Sequence, residues 1–238
     1  MISADVLKDF ENTMIPGTNV PYSHICSWAV WGQAKVPATS FLDDSNIAFP
    51  PQTDELVDVL HTRVVLVGFN PGSAAKAGRG HWTSFHFGRA SRDERLAEAC
   101  RETPLWGCLM TDLFPLILDS ESGDVDGVLS GKKAIPEGEE SKYDHGANIA
   151  AFEKSLSLAG VAEDASVTLI CIGGASELWA KRLLKGNRKW RSLTTCRRNY
   201  TLIRIDHYSD QNRKLIGAEN KPSAYKGIVN KQLKSAKN

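Results

Sequence analysis

The sequence predicts a three-layer α/β/α protein with a central, mainly parallel sheet of four strands. Four short apolar runs, at residues 63–69, 105–114, 166–172 and 200–205, have the length and composition of buried strands. Segments with helical spacing of apolar residues lie between them, and this alternation is typical of parallel strands covered by helices on both faces. The length of 238 residues is enough for one large domain with a substantial core.

The chain is expected to form a single domain, with an N-terminal extension at residues 1–60 and an α/β core at 61–238. The extension begins with a predicted helix and continues as an irregular segment in which Trp28 and Trp31 are expected to fill the edge of the core. Further helices are predicted after Ser91 and at residues 147–159, 175–185 and 221–234. Residues 119–146 are acidic and rich in glycine, which is typical of a mobile excursion.

The composition is that of an ordinary soluble globular protein, with 42% hydrophobic and 24% charged residues. No apolar run approaches the roughly 18 residues that a membrane span needs, and the N-terminus lacks the pattern of a secretory signal. The sequence therefore predicts a cytoplasmic protein with no membrane partner. Five scattered cysteines without a CxxC pair argue against a disulfide framework and a structural zinc site, and we interpret them as small buried residues.

The charge is distributed unevenly along the chain. Residues 181–238 contain sixteen Lys/Arg and three Asp/Glu, whereas residues 1–180 contain thirteen Lys/Arg and twenty-five Asp/Glu. A basic terminal quarter is a candidate surface for nucleic-acid phosphates, because cationic side chains release counterions when they meet such a backbone. A solvated face that balances acidic neighbours is the alternative.

Residues 63–72 read RVVLVGFNPG, so a buried strand ends at an Asn-Pro-Gly turn. Ligands of α/β proteins bind at the C-terminal ends of parallel strands, which makes Asn70 a candidate catalytic residue. His207 ends another predicted strand, in the sequence RIDHYS, and both side chains are expected at the same edge of the sheet. A plain turn at Asn70 and a surface histidine at His207 are the alternatives.

The strand followed by GFNPG resembles the first active-site motif of the uracil-DNA glycosylase superfamily, in particular its mismatch-specific and single-strand-selective branches. These five residues match the motif Gly-x-Asn-Pro-Gly, and the order of later elements over residues 60–235 is similar in outline, including GCLMTDL at 107–113. The resemblance implies a DNA-repair hydrolase that cleaves the N-glycosidic bond of a damaged or mismatched base. It also implies single-stranded or mismatched duplex DNA as the partner, with no metal and no cofactor.

Carried over by position, the resemblance gives each motif residue a role. Asn70 would hold and polarise the water that attacks the sugar C1′, and His207 would donate a hydrogen bond to the base oxygen that gains charge. The flipped base would lie among nine residues, with Phe85 or Phe87 stacked on it: Gly68, Phe69, Pro71, Gly72, Ser73, Phe85, Phe87, Asp112 and Ser209. Four basic residues would contact the DNA backbone: Arg197, Arg198, Arg213 and Lys214.

Two positions depart from the pattern of the superfamily. Its second motif usually has a proline after the His or Asn, whereas Tyr208 follows His207 here, which predicts a less rigid loop. The strand end where many members have a base-reading Asn carries Thr111 or Asp112. A carboxylate at this place would repel the two carbonyls of uracil, although it could accept from an N–H or an amino group.

Four alternatives to a glycosylase site stay open. The chain could be a catalytically silent nucleic-acid-binding member of the same fold, or a nucleotide- or nucleoside-processing protein, although the phosphate-binding sequence GxxxxGK[ST] is absent. The aromatic loop could be core rather than site, and His81 and His86 with Asp112 suggest a metal site that no ligand spacing supports. A serine or cysteine hydrolase is disfavoured, because the sequence has no Gly-x-Ser-x-Gly elbow. The oligomeric state is not predicted.

Overall fold

The computed structural model describes residues 2–32, 40–41, 43, 46–51, 55–71, 80–88, 91–118, 122–185, 198–209 and 221–236. The described residues form five strands: β1 Ser27–Trp28, β2 His61–Gly68, β3 Cys108–Asp112, β4 Ser166–Ile172 and β5 Asn199–Ile205. They also form six α-helices: α1 Ala4–Asn12, α2 Asp93–Cys100, α3 Ser122–Leu129, α4 His145–Leu158, α5 Gly174–Leu184 and α6 Pro222–Ser235. The predicted α/β class is confirmed.

The five strands form one mixed sheet with the order β1-β3-β2-β4-β5. Strand β2 pairs in parallel with β3 and β4, and β4 pairs in parallel with β5, whereas β1 runs antiparallel to β3. The sheet therefore has one strand more than the sequence predicts. The additional strand is two residues long and lies in the segment rich in Pro and Trp, so it carries no alternating pattern from which it could be predicted.

Helices cover both faces of the sheet. Successive strand residues point to opposite faces, and they belong to two different hydrophobic clusters, each of which includes helix residues. In β2, Val65 and Val67 pack into the cluster that contains α1, α4 and α5 residues, and Leu66 packs into the cluster with α2 and α6 residues. All three side chains are fully buried. A strand buried on both faces is apolar throughout, which explains the continuous hydrophobic run that marks it in the sequence.

The N-terminal extension is integral to the core. Trp28 and Trp31 are fully buried, as expected, and the Tyr22 hydroxyl donates a 3.0 Å hydrogen bond to the Ala151 carbonyl of α4. The segment at 119–146, predicted as a mobile excursion, contains α3 and a 3₁₀ helix at Glu140–Tyr143, and Asp126 accepts a 2.8 Å hydrogen bond from the Trp179 indole. Its mobility stays a prediction.

Four cysteines, Cys26, Cys100, Cys108 and Cys171, are buried free thiols, which confirms their interpretation as small buried residues. Cys196 lies outside the described residues. Among the helices that the structure describes, none combines the length and the apolar character needed to cross a membrane.

Candidate functional site

A cleft of about 740 Å³ opens at the C-terminal ends of the four parallel strands. Its volume lies within the roughly 300–1,000 Å³ of small-molecule sites. Nine of the predicted site residues line it together: Gly68, Phe69, Asn70, Pro71, Phe85, Phe87, Asp112, His207 and Ser209. They converge because parallel strands that are distant in sequence end at one edge of the sheet.

The turn after β2 brings Asn70 to the cleft. Phe69 is 7% exposed, and its ring packs edge-on against Phe114 at a centroid distance of 5.2 Å. The next residue, Asn70, also lines the cleft. Two hydrogen bonds hold the turn beside β3: the Leu113 N–H donates to the Gly68 carbonyl at 3.2 Å, and the Phe114 N–H donates to the Phe69 carbonyl at 3.0 Å.

Gly68 has no room for a side chain. A Cβ atom at this position would overlap Oδ1 of Asp112 and would lie 3.1 Å from Cζ of Phe85. The glycine therefore lets the Asp112 carboxyl and the Phe85 ring approach the end of β2. Phe85 has a φ of 63°, in the left-handed region that bulky residues rarely adopt. Its ring belongs to a hydrophobic cluster and also lines the cleft, so Phe85 is both a core and a site residue.

Asp112, rather than Thr111, is the β3 residue at the cleft. The Thr111 hydroxyl lies in the interior, 3.3 Å from the Cys26 sulfur and 3.3 Å from the Ser155 hydroxyl. Asp112 is 3% exposed, and this desolvation raises its pKa from 3.8 to about 8, with no opposing interaction from the residues that the structure describes. The Asp112 carboxyl is therefore largely protonated at pH 7. A neutral carboxyl would not repel carbonyl groups in the way that the carboxylate expected from the sequence would.

The loop after β5 is held by two helices instead of a proline. The Arg95 guanidinium of α2 donates a 2.6 Å hydrogen bond to the Tyr208 carbonyl, and the Tyr225 hydroxyl of α6 donates one of 2.6 Å to the Asp206 carbonyl. Gln232 of α6 forms two more with Asp206: it accepts from the backbone N–H at 3.1 Å and donates to Oδ2 at 2.8 Å. These contacts fix the backbone of the loop at Asp206 and Tyr208, on the two sides of His207.

The orientation of the His207 ring follows from its own loop. Its Nδ1 accepts a 3.0 Å hydrogen bond from the Ser209 N–H, and the ring stacks on Tyr208 at a centroid distance of 4.8 Å. Because Nδ1 accepts, the neutral ring carries its proton on Nε2. His207 retains solvent contact within the cleft, but the surrounding protein removes enough water to lower its pKa below 6.5. At pH 7 the ring is therefore a neutral donor through Nε2–H.

Asp93 connects the aromatic loop to the loop that carries His207. Its carboxyl accepts hydrogen bonds from the N–H groups of Phe87 at 2.5 Å and Gly88 at 3.1 Å. Burial raises the pKa of Asp93 to about 7, and the Tyr208 side chain lies beside it. Asp93 thereby positions Phe87, which is half-buried at the cleft.

Two electropositive features of the cleft were not predicted from the sequence. Arg204 lines it near the end of β5 and forms a 3.3 Å ion pair with Asp206. Helix α5 begins at the cleft with Gly173 as its N-cap, whose φ is 87°, and among the described residues no side chain caps its first N–H groups. Both features have a mark in the sequence from which they could have been predicted. Arg204 is a charged residue inside an apolar strand, and two glycines directly follow β4.

Five predicted site residues, Gly72, Ser73, Arg197, Arg213 and Lys214, lie outside the described residues. Arg198 lies at the beginning of β5, at the opposite edge of the sheet from the cleft. Its guanidinium forms a buried ion pair with Glu153 and donates to the carbonyls of Ala162 at 2.9 Å and Val161 at 2.7 Å. The structure therefore does not bring Arg198 to the cleft, and its hydrogen bonds give it a role in the core instead of on a DNA backbone.

The histidines of the aromatic loop have other partners. Nδ1 of His81 lies 2.5 Å from the Ser23 hydroxyl, and the ring nitrogens of His86 lie 3.4 Å from the Ile47 carbonyl and 3.3 Å from the Trp28 carbonyl. Loss of solvent lowers the pKa of His86 to about 4. Within the described ranges, no group of three or more His, Cys, Asp or Glu side chains is arranged to hold a metal ion.

Comparisons of the chain with protein-family models, with curated proteins and with solved structures give no match. We therefore infer the function from the chemistry of the residues in the cleft. These are an amide at Asn70, a neutral imidazole at His207, a protonated carboxyl at Asp112 and the rings of Phe85 and Phe87.

Proposed function

We propose that the chain is a DNA N-glycosylase similar to the uracil-DNA glycosylases, which hydrolyses the bond between a flipped base and its sugar. The observation that supports this proposal is the position of Asn70 and His207 in one cleft, although they belong to distant parts of the sequence. An amide that can hold water and an N–H that can stabilise a leaving group are the two groups that such a hydrolysis needs.

The strand order places one strand between those that carry these two residues. Strand β4 lies between β2 and β5, so the ends that carry Asn70 and His207 are two strand spacings, roughly 9–10 Å, apart. Gly173 and Gly174 follow β4, and their missing side chains let the His207 ring and the Arg204 guanidinium approach to within 4 Å of the positions that Cβ atoms would take. Phe85 and Phe87 supply ring faces for stacking, which every base can use.

In the proposed reaction, the C1′–N bond breaks and its electron pair leaves on the base, while a water oxygen bonds to C1′. The Asn70 amide oxygen accepts a hydrogen bond from this water, which suits an oxocarbenium-like sugar that needs a positioned nucleophile rather than a strong base. His207 Nε2–H donates to the base oxygen that gains negative charge. The proton lost by the water ends on the departing base or in solvent.

Replacement of Asn70 tests this proposal. We expect Asn70→Ala to slow the release of free base from a uracil-containing single strand by about 10²–10⁴-fold, because the water loses its positioning group. Single-strand binding should change by less than about twofold, since phosphate contacts dominate affinity. The matched control is Asn19→Ala, at an exposed turn outside the cleft, which should behave as the wild type.

The same experiment separates the alternatives. A catalytically silent binding module would bind the strand and release no base from uracil, hypoxanthine or mismatched substrates, and this result in the wild type would overturn the enzymatic proposal. A nucleotide-processing enzyme would need phosphate contacts from the segment after Pro71, and residues 72–79 lie outside the described part of the chain.

A further inference from the structure

Tyr208 lines the cleft, and the proposed hydrolysis gives it no role. It follows His207 directly, and its side chain is 7% exposed. The rings of the two residues are almost parallel, with an interplanar angle of 16° and a centroid distance of 4.8 Å. The imidazole of His207 therefore packs on the face of a larger and more deeply buried ring.

Two contacts orient the His207 ring. The side chain is exposed to the cleft, and exposed side chains change rotamer within picoseconds to nanoseconds unless contacts hold them. The 3.0 Å hydrogen bond from the Ser209 N–H fixes Nδ1, but a ring held at one atom can still tilt about it. The parallel contact with Tyr208 restricts this tilt. Together the two contacts set the direction in which Nε2–H donates.

Tyr208 is itself held by the two helices that pack against its loop. The fully buried Arg95 of α2 donates a 2.6 Å hydrogen bond to the Tyr208 carbonyl, and the Tyr225 ring of α6 packs edge-on against the Tyr208 ring at a centroid distance of 6.5 Å. The Tyr208 side chain also lies beside Asp93, which accepts a hydrogen bond from the Phe87 N–H. A ring packed in this way belongs to the hydrophobic core and is fixed by it.

We propose that Tyr208 is a positioning residue, whose ring fixes the plane of the His207 imidazole and with it the direction of the Nε2–H donor. This role rests on the proposed glycosylase function, in which His207 donates to the departing base. A proline after His207 would restrict the backbone of the loop, whereas Tyr208 restricts the side chain that acts. A donor that is already oriented needs no reorganisation when charge develops on the base, so the contact increases the rate of the bond-breaking step.

The first test is independent of catalysis and measures the NMR relaxation of the His207 ring carbons in the full chain, with the signals assigned by their absence from His207→Ala. We expect an order parameter of about 0.85, as in a rigid backbone, for the wild type and for Tyr208→Phe, which keeps the ring. For Tyr208→Leu, which has no flat face, we expect a value below about 0.6. Thermal unfolding shows which variants are folded, and Tyr208→Met replaces Tyr208→Leu if the latter is not.

The second test compares single-turnover release of base from a uracil-containing single strand. We expect Tyr208→Leu to slow release by about 10–10²-fold, because a misdirected donor stabilises the leaving group poorly. Strand affinity and release by Tyr208→Phe should change by less than about twofold. The matched control is Tyr143→Leu, because Tyr143 is also buried, at 5% exposed, but lies outside the cleft, and this variant should release base at the wild-type rate.

A double-mutant cycle separates positioning from a general structural role. If Tyr208 acts through His207, then adding Tyr208→Leu to His207→Ala should slow release further by less than about twofold. The same full loss in both backgrounds would overturn the proposal. So would a mobile His207 ring in the wild type, an ordered ring in Tyr208→Leu, or equal slowing by Tyr143→Leu. A ring ordered by Tyr208 in a protein that releases no base contradicts the hydrolysis alone, whereas release with a mobile ring contradicts the positioning alone.

Discussion

Among single residues, Gly68 and Asp112 depend on each other. The carboxyl of Asp112 occupies the space that a side chain at Gly68 would need. Because Gly68 has no side chain, the carboxyl packs against the end of β2 and is shielded from water. Position 112 could be predicted from the sequence because it ends an apolar run. Its protonation state could not, since the burial that sets it comes from residues elsewhere in the chain, such as Phe85.

Gly68→Ala should destabilise the protein. The added Cβ meets the buried Asp112 carboxyl and the Phe85 ring, and such overpacking costs about 1–3 kcal/mol of unfolding free energy. Gly227→Ala is the matched control, because Gly227 lies in α6 with open space around its Cβ position, and this change should stabilise by roughly 0.5–1 kcal/mol. Urea unfolding measures both. Equal effects of the two substitutions would contradict the close contact at Gly68.

Asp112→Asn should alter the dependence of stability on pH. Because the pKa of Asp112 is about 8 in the folded protein and 3.8 ordinarily, the folded state keeps a proton that the unfolded chain releases, so the contribution of Asp112 to wild-type stability falls as pH rises from about 4 to 8. The variant lacks this contribution. Its unfolding free energy relative to the wild type should therefore increase between pH 5 and pH 8, and a constant difference would show that Asp112 is ionised in the fold.

At the scale of elements, helices α2 and α6 determine the position of the loop that carries His207. Arg95 of α2 and Tyr225 of α6 bind backbone carbonyls of this loop, on the two sides of His207. The helices themselves could be predicted from their apolar spacing, and the strand before the loop from its hydrophobic run. The contacts themselves could not be predicted, because they depend on how the chain folds rather than on the local sequence pattern. For the same reason, the ion pair between Arg198 and Glu153 could not be predicted, and Arg198 was expected at a DNA backbone instead.

Tyr225→Phe should lower stability and slow base release together. It leaves the Asp206 carbonyl without its 2.6 Å hydrogen bond, which costs about 1–3 kcal/mol and loosens the loop beside His207. Tyr22→Phe is the matched control, because this hydroxyl also donates to a carbonyl from a fully buried ring, at 3.0 Å, but on α4. Both variants should lose similar stability in thermal unfolding. Only Tyr225→Phe should slow release, and an equal effect of both on the rate would refute the positioning role.

For the whole molecule, the order of strands in the sheet decides which residues meet. Across the sheet, Asp112 is the last residue of β3, and Asn70, Gly173 and His207 follow the ends of β2, β4 and β5, so the strand followed by a glycine lies between those that carry the two proposed catalytic residues. The parallel arrangement and the shared edge could be predicted from the alternation of strands and helices. The short antiparallel β1 could not, because two residues carry no periodicity, and α3 could not, because the acidic, glycine-rich composition around it is typical of a loop.

The most direct test of this account is the single-turnover release of free base from a uracil-containing single strand by four proteins: the wild type, Asn70→Ala, His207→Ala and the control Asn19→Ala. The account predicts release by the wild type and the control, and release slower by about 10²–10⁴-fold in the two cleft variants, with strand binding retained in all four. No release by the wild type on uracil, hypoxanthine or mismatched substrates, or equal rates for all four proteins, would contradict it.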